Sequence, residues 1–351
     1  MERKSVLESL TFLTEKRDNS IKVRHCANGK PQRIYKQQDD VSSPTVATES
    51  VLLTAGIEAK EGRDVMTIDV PNTFLQTSMD EVDEDGNQTI MRIRGALVDI
   101  LCDIDPSCEE CVVEEKGVHT LYVHILKALY GLLVPSMLFY RKLSKDLVEA
   151  GFVINPHDPC VANKMVDGKQ HTVCWHVDDL KSSHKDSRVN DAFAKWIEEM
   201  CGTIGKVKVI QGKVYDYLGM ILDYSVPGRV TIDVSDYVKA MIKEFPEEEL
   251  VGPAPKSPWN DNLFKVDPNS LPLSVEKKEL FHRVTAQGPF VTKRGRPDIA
   301  PSIAFKTTRV TCSTKEDWAK LRWLLMFLKA TADDKLTWNS TILGSYSGIP
   351  M

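Results

Sequence analysis

The stretch "TVCWHVDDLKSS", residues 172–183, decides the fold because it places two neighbouring carboxylates at the end of a strand. Apolar side chains alternate along it with period two, the pattern of a half-buried strand, on the face made by Val173, Trp175 and Val177. Asp178 and Asp179 follow, and two such charges about 4 Å apart repel by roughly 4 kcal/mol at an effective dielectric near 20. Either a solvated turn screens this repulsion with water, or divalent cations neutralise it in a metal site. The stretch alone leaves both interpretations open.

Length and composition indicate a globular protein with a sizeable core. The 351 residues are 42% hydrophobic and 27% charged, and their number predicts two or three subdomains. No run of eighteen apolar residues predicts a membrane span, and the N-terminal "MERKSVLESL" lacks the apolar core of a signal peptide. Eight scattered cysteines without a secretory signal predict reduced thiols in an intracellular compartment, with cytoplasm or nucleus left open.

Charge is distributed unevenly along the chain. Residues 80–115 carry twelve carboxylates and two arginines, or −10, which leaves +5 for the remainder of a chain whose net charge is −5. Residues 16–36 carry seven lysines and arginines against one aspartate. A basic arm with a remote acidic insertion is compatible with a polyanionic partner, although runs of charge also occur on ordinary solvated surfaces.

A second strand ends in a carboxylate. In "RDVMTIDV", residues 63–70, the apolar Met66, Ile68 and Val70 share one face, and Asp69 ends the other. If this strand lies beside the first, three carboxylates meet, and hard oxygen ligands suit Mg²⁺. Two such ions about 3.5–4 Å apart activate a hydroxyl and stabilise a leaving pyrophosphate in phosphoryl transfer. The strand pattern alone does not establish that the two strands are neighbours.

Further patterns predict a mixed architecture. A hairpin is predicted around Asn28–Gly29, and another at Pro227–Gly228. Helices are predicted over residues 133–150, after the paired aspartates in "SRVNDAFAKWIEEMCG", in "SDYVKAMIKEF", and in "STKEDWAKLRWLLMFLKAT" behind a capping box of Ser313 and Glu316. Strands and helices do not alternate strictly, which favours an α+β fold with an antiparallel sheet.

Nine short segments resemble, in the same order, those of copia-type retrotransposon reverse transcriptases. The first catalytic segment of that family reads roughly D-V-K-T-A-F-L, and this chain has "DVPNTFL" from Asp69 to Leu75. The family hallmark, an aromatic residue followed by Val-Asp-Asp, corresponds to "HVDD" from His176. The other matching segments are "IKVRHCANG", "LYGLL", "LFY" ending at Tyr140, "DPCVANK", "DYLGM", "RPDIAPSIA" and "DWAKLRWLLMFLKAT".

The resemblance implies a right-hand polymerase fold, with fingers, palm and thumb around an antiparallel palm sheet, and RNA-directed DNA polymerase activity. By correspondence with the family, Asp69 and Asp178 would hold two Mg²⁺ ions, with Mn²⁺ as an alternative. Asp179 would be the third carboxylate, and the backbone carbonyl of Val70 would complete the second metal site. Such a nucleotidyltransferase would extend a primer on an RNA or DNA template with deoxynucleoside triphosphates.

The resemblance also assigns residues around the incoming nucleotide and the primer. Arg24 and Lys22 would grip the triphosphate, and Phe74 would screen the sugar 2′ position. Tyr130 and Gly131 would lie beside the new base pair. The primer end would lie near Leu218 and Gly219.

The chain departs from the family pattern at several places. His176 replaces the usual tyrosine, residues 133–135 replace a more polar run, and Pro71–Asn72 replace Lys-Thr. The acidic stretch of residues 80–115 is also longer than the usual connection. A second hypothesis therefore stays open, that of a catalytically decayed or co-opted retrotransposon fragment that binds nucleic acid or protein. Template preference and oligomeric state are not indicated.

The expected domains are a fingers-like region in residues 1–60, a palm in 61–232 with an acidic insertion at about 80–115, and a thumb-like helical region in 233–351. Too few carboxylates follow Asp317 for the ribonuclease H domain that accompanies the family's polymerase, so none is expected. Cys108 and Cys111 precede His119 and His124, but the spacing is too short for an ordinary zinc finger, and their role stays open. The sequence contains no P-loop or dinucleotide motif.

Overall fold

A computed structural model describes residues 6–15, 19–34, 41–79, 89–202 and 204–339. The strands in these residues are β1 (Val6–Glu15), β2 (Ile21–Ala27), β3 (Asp64–Asp69), β4 (Ile90–Arg94), β5 (Val113–Glu115), β6 (Val118–His124), β7 (Val153–Ile154), β8 (Val161–Val166), β9 (Lys169–His176), β10 (Asp179–His184), β11 (Lys208–Gln211), β12 (Val214–Tyr217), β13 (Met220–Asp223), β14 (Arg229–Asp233) and β15 (Leu336–Asn339).

The helices in the same residues are α1 (Thr48–Glu61), α2 (Ala96–Ile104), α3 (Pro135–Glu149), α4 (Ser187–Cys201), α5 (Ser235–Lys243), α6 (Val275–Arg294), α7 (Ala300–Thr307) and α8 (Lys315–Ala330). Short 3-10 turns lie between them. No helix of the described ranges is both long and apolar enough to cross a bilayer.

Three sheets organise the molecule. The central sheet has the order β11-β3-β10-β9-β8-β7, and every neighbouring pair in it is antiparallel. A first sheet, β2-β1-β4-β6-β5, contains one parallel pair, β1 with β4. A third sheet, β12-β13-β14-β15, is antiparallel and packs beside the C-terminal helices. The predicted mixture of helices and strands with an antiparallel sheet is confirmed.

Two apolar clusters hold these layers together. The larger one joins the central sheet to α1, α4, the third sheet and the C-terminal helices, and it includes Ile68, Trp175 and Leu180. The smaller one fills the space between the first sheet and the start of α3, and it includes Leu7, Met91, Ile93, Val98 and Leu121. Helix α1 lies almost entirely in the expected fingers-like region, but Val51 and Ala55 join it to the larger cluster with the central and third sheets.

The described part of the expected acidic insertion has regular structure. Residues 80–88, with five of its twelve carboxylates, lie outside the described residues. Residues 89–115 form β4, α2 and β5, and β4 pairs with both β1 and β6. Because Met91, Ile93 and Val98 are buried in the smaller cluster, this segment is part of the first sheet and not a solvated loop.

Two local predictions were wrong. In the described residues a 3-10 turn, Lys30–Ile34, follows Asn28–Gly29 in place of a strand, and β2 pairs with the preceding β1. The last long helix begins one residue later than predicted, and its capping box is formed by Thr314 and Asp317. The predicted helices over residues 133–150 and after the paired aspartates are confirmed as α3 and α4.

A buried ion pair ties the central sheet to α1 and the third sheet. Lys181 of β10 contacts Glu58 of α1 through its Nζ atom, and the two side chains are 0% and 2% exposed. The same ammonium donates a hydrogen bond to Thr54 Oγ1 (3.0 Å), and the Tyr224 hydroxyl donates one to Glu58 Oε2 (2.6 Å). Each charge is thus matched by a partner, which burial of charged groups requires.

Removing one partner of this pair should therefore destabilise the fold strongly. We expect Lys181→Met to lower the free energy of unfolding by about 3–5 kcal/mol, because Glu58 is then buried without its cation. Urea unfolding of purified protein measures the change. The double variant Lys181→Met/Glu58→Gln, which removes both charges, should recover part of the loss; a double variant less stable than the single one would contradict the account.

Candidate active site at the edge of the central sheet

Strand pairing brings the three predicted carboxylates to one edge of the central sheet. Asp69, the last residue of β3, lies directly opposite Asp179, the first residue of β10. A tight turn joins β9 to β10, with Val177 in the left-handed region at φ 57°. The Val70 N–H donates a hydrogen bond to the Asp178 carbonyl oxygen (3.1 Å), which fixes this turn against the end of β3. The strand pattern alone did not establish that β3 and β10 are neighbours, and the structure shows that they pair directly.

The carboxylates share an unfavourable electrostatic environment. Burial, together with the charges of Asp178 and Asp69, raises the pKa of Asp179 to about 6. Burial also raises the pKa of Asp178, with Asp69 adding to the effect, while His176 and Lys22 act in the opposite direction. A cation placed among these groups would relieve the repulsion.

The Val70 carbonyl oxygen already has one partner. It accepts a hydrogen bond from the hydroxyl of the buried Thr73 (2.6 Å), which leaves its second lone pair for another ligand. Within the described ranges, no three histidine, cysteine, aspartate or glutamate side chains converge closely enough to hold a metal ion as they stand. Joint binding of one ion by Asp69, Asp178 and Asp179 therefore requires their side chains to turn towards each other.

The two predicted basic residues lie on the neighbouring hairpin. Lys22 and Arg24 are exposed on β2, opposite Thr14 and Phe12 of β1. Lys22 is close enough to act on the pKa of Asp178. The first sheet therefore presents cations to the carboxylate edge of the central sheet.

An aromatic pair lies between the two sheets. The rings of Phe74 and Tyr130 are 4.7 Å apart and inclined by 59°. Burial raises the pKa of the Tyr130 hydroxyl, Asp178 and Asp69 raise it too, and Arg24 opposes them. Tyr130 is thus close to both the carboxylates and the basic hairpin.

Gly131 forms a close backbone contact with the end of β2. The Ala27 N–H donates to the Tyr130 carbonyl oxygen (2.9 Å), and the Gly29 N–H donates to the Gly131 carbonyl oxygen (3.1 Å). Gly131 has φ 88°, and a Cβ on it would overlap the Ala27 carbonyl. A Cβ on Gly29 would overlap the Gly131 carbonyl in turn. Only glycine fits at these two positions.

Leu218 and Gly219 form the two-residue turn between β12 and β13. Both have positive φ, 53° and 74°, as this kind of hairpin turn requires. They line an open cleft of about 340 Å³ together with Asp69 and Asp179. The predicted primer-proximal turn and two of the carboxylates therefore share one cleft.

Two further charged residues line this cleft and were not predicted from the sequence. Lys208 of β11 lies opposite Asp69, on the other side of β3 from Asp179. Asp216 of β12 also lines the cleft and contributes to the raised pKa of Asp179. Their positions depend on strand pairing across the chain, and alternation in "KVKVI" would have been the only local signal for Lys208.

The sequence left open the role of Cys108, Cys111, His119 and His124. Within the described residues they do not come together as one metal site. His119 Nδ1 lies 2.7 Å from Asp99 Oδ1, and this carboxylate raises the pKa of His119. Cys108 packs against the smaller apolar cluster, whereas Cys111 is exposed. All eight cysteines of the chain are free thiols.

Because the pKa of Asp179 is raised, replacing this residue with asparagine should increase thermal stability by an amount that depends on pH. Its ionised form is disfavoured in the folded protein, so it destabilises the fold fully above pH 6 and not at all below the ordinary aspartate pKa of 3.8. Asp179→Asn should therefore raise Tm at pH 7.5, and the gain should shrink as the pH falls and vanish near pH 4. Thermal melts of both proteins across this range measure the gain; a gain independent of pH would contradict a raised pKa for Asp179.

Comparisons with known proteins identify a related sequence. The chain is 21% identical over 345 residues to the "Retrovirus-related Pol polyprotein from transposon TNT 1-94" of Nicotiana tabacum, a match that covers 94% of this chain and 23% of the relative. The chain thus spans about a quarter of the length of that polyprotein. No protein-family model matches the chain.

Solved structures with some likeness are more distant. A foamy viral protease-reverse transcriptase in complex with double-stranded DNA matches 94% of this chain and 44% of its own, at 11% identity and a TM-score of 0.46. Telomerase from Candida albicans, in complex with a fragment of telomeric RNA, matches 95% of this chain and 62% of its own, at 12% identity and a TM-score of 0.35.

The retrotransposon resemblance inferred from nine short segments is confirmed by the match to the tobacco transposon polyprotein, which runs along nearly the whole chain. The chain is therefore similar in sequence to a retrotransposon Pol polyprotein along nearly its whole length.

Proposed function

We propose that this chain is an RNA-directed DNA polymerase that adds deoxynucleotides to a primer paired with an RNA or DNA template. The observation that carries the proposal is the pairing of β3 with β10, which sets Asp69 opposite Asp179 and holds Asp178 in the adjoining turn. Carboxylates at the ends of two neighbouring strands suit phosphoryl transfer, in which catalysis consists largely of positioning and charge stabilisation.

The donor atoms at this edge fit Mg²⁺ in kind. Asp69, Asp178, Asp179 and the free lone pair of the Val70 carbonyl are hard oxygen ligands. Burial and, to a smaller extent, the neighbouring carboxylates raise the pKa of Asp178 and Asp179, and a cation would favour their ionised forms. When bound, two such ions supply activation of the primer 3′-hydroxyl and neutralisation of the leaving pyrophosphate.

The surrounding residues would bind and orient the substrates. Lys22 and Arg24, exposed on β2 near the carboxylates, would contact the phosphates of an incoming deoxynucleoside triphosphate. Phe74 and Tyr130 would form a wall beside its sugar and base. Gly131, held against the end of β2, would lie beside the new base pair.

The cleft would receive the primer end. Its walls combine Asp69 and Asp179 with the turn at Leu218–Gly219, so a primer terminus resting on that turn would lie close to the carboxylates. We infer that the central sheet is the palm and the C-terminal helices after residue 233 are the thumb. The first sheet, which includes residues 89–124, would belong with the fingers, and this extends the region expected from residues 1–60.

One observation favours the second hypothesis of binding without catalysis. The three carboxylates do not converge into a ready-made metal group in the described residues. A chain that has lost metal binding would keep the basic hairpin and the cleft, and it would still bind nucleic acid.

A primer-extension assay separates the two hypotheses. With Mg²⁺, a labelled DNA primer and an RNA template, the parent should extend the primer, and Asp178→Asn and Asp69→Asn should each lower the rate by about 100-fold or more, because each loses about 3 kcal/mol of transition-state stabilisation. Asp167→Asn is the matched control: it removes an exposed carboxylate from the turn between β8 and β9, at a positive φ that asparagine also adopts. Extension by both active-site variants at the parent's rate would refute the polymerase proposal.

Sugar selectivity tests the aromatic wall. Phe74→Val should raise ribonucleotide incorporation relative to deoxynucleotide incorporation, because a smaller side chain leaves room for a 2′-hydroxyl. Both rates are measured on the same preparation. Phe264→Val, which removes an exposed ring outside the cleft, is the control. If Phe74→Val lowers Tm but leaves the ratio of the two rates unchanged, Phe74 serves packing alone.

A further inference from the structure

Arg294 is a charged residue beside the cleft that the proposed function does not use. It is the last residue of α6, and its Nε–H donates a hydrogen bond to the carbonyl oxygen of Leu218 (3.2 Å). Leu218 and Gly219 line the cleft that also contains Asp69 and Asp179. A cation from the C-terminal helices is therefore attached to the turn at which the primer end is proposed to lie.

Aromatic stacking holds this arginine in place. Its guanidinium carbon lies 3.9 Å from the centre of the Phe290 ring, and Phe290 stacks in turn on Tyr237 at 4.2 Å. A Cβ on Gly219 would come within 2.8 Å of Phe290, so the turn and the ring are in close contact. The guanidinium is thus fixed by one hydrogen bond and one ring face, a preorganised arrangement.

The remaining hydrogen-bonding capacity of Arg294 is unused. Among the residues the structure describes, no carboxylate pairs with Arg294, and its only hydrogen bond is the one from Nε to Leu218. The other half-buried or buried arginines of the described residues each contact partners through two or more nitrogens. They are Arg63, Arg92, Arg296, Arg309 and Arg322.

An unpaired, half-buried cation is costly. Burial lowers the pKa of Arg294, and only the Tyr237 phenol acts the other way. Burying a charge without an opposite charge disfavours the folded state, so an anion at this place would offset the cost. Guanidinium nitrogens in a fixed plane bind phosphate oxygens in pairs, which makes a phosphate the best match.

We propose that Arg294 binds a backbone phosphate of the primer strand near its 3′ end. The inference rests on the proposed function, since it requires a primer in the cleft. It adds a contact from α6 to a site built otherwise from strands and turns. Arg294 would thereby couple the placement of the C-terminal helices to occupancy of the cleft.

Salt dependence of binding tests the proposal without catalysis. A fluorescent DNA primer annealed to an RNA template is titrated with protein at several salt concentrations, in the absence of nucleotides. Removal of one cation that pairs with a phosphate should reduce the slope of log K against log salt by about 0.9 and weaken binding about eightfold near 0.1 M salt. We expect this change for Arg294→Gln. Arg283→Gln is the matched control, because Arg283 lies exposed on the same helix and is paired with Glu244.

A charge-conserving variant separates phosphate binding from support of the turn. Arg294→Lys loses the planar fork and the Nε hydrogen bond but keeps the charge, so it should retain the parent's slope. If Arg294 only supports the turn, Arg294→Lys and Arg294→Gln should behave alike. Thermal melts of all variants establish that each is folded.

Neutral phosphates locate the contact. Primer phosphates are replaced one at a time by methylphosphonates, and one position near the 3′ end should weaken binding by the parent but not by Arg294→Gln. If the parent binds and extends primers, and Arg294→Gln shows the same salt slope as the parent, only the Arg294 contact is overturned. The same replacements are made in the template strand, and an Arg294-dependent effect confined to that strand would also overturn the contact. A parent that neither binds nor extends would overturn the proposed function as well.

Discussion

The pairing of β3 with β10 is the constraint on which the rest of the site depends. It sets Asp69 opposite Asp179 and lets the Val70 N–H bond to the Asp178 carbonyl, so the carboxylates are held by backbone contacts. Because side chains alternate between faces, a slip of one residue would turn the carboxylate of the slipped strand to the other face of the sheet. The buried pair of Lys181 and Glu58 opposes such a slip, since moving Lys181 would leave two charges buried without partners.

The surroundings of that edge come from parts of the chain that are far apart in sequence. The first sheet brings exposed cations on β2, the connection before α3 brings Tyr130, and the β12–β13 turn closes the cleft. Helix α6 adds Arg294 behind that turn. Each contribution is anchored by backbone hydrogen bonds or by one of the two apolar clusters, so the arrangement is a property of the folded core.

Local patterns predicted the elements well and their partners poorly. Period-two alternation identified β3 and β9, and apolar spacing identified α3 and α4, because these patterns report on faces that become buried. The wrong partner for β2 and the role of residues 89–115 share one cause, since pairing with β1 is a non-local contact. Most candidate site residues were reached through family resemblance. Lys208, Asp216 and Arg294 had no such guide, because strand order places the first two at the cleft and helix packing places Arg294 at the turn that lines it.

The contact between Gly29 and Gly131 limits which substitutions such a sequence can accumulate without loss of its fold. Copies of mobile elements accumulate amino-acid substitutions, and loss of activity is usually sought at the metal-binding carboxylates. Here a single added methyl group at either glycine would push two backbones apart, and the first sheet would lose its fit against the start of α3. Erosion of the fold could thus precede erosion of the chemistry. The presence of glycine at both positions, about a hundred residues apart in sequence, therefore indicates whether a divergent copy still keeps its first sheet packed against the start of α3.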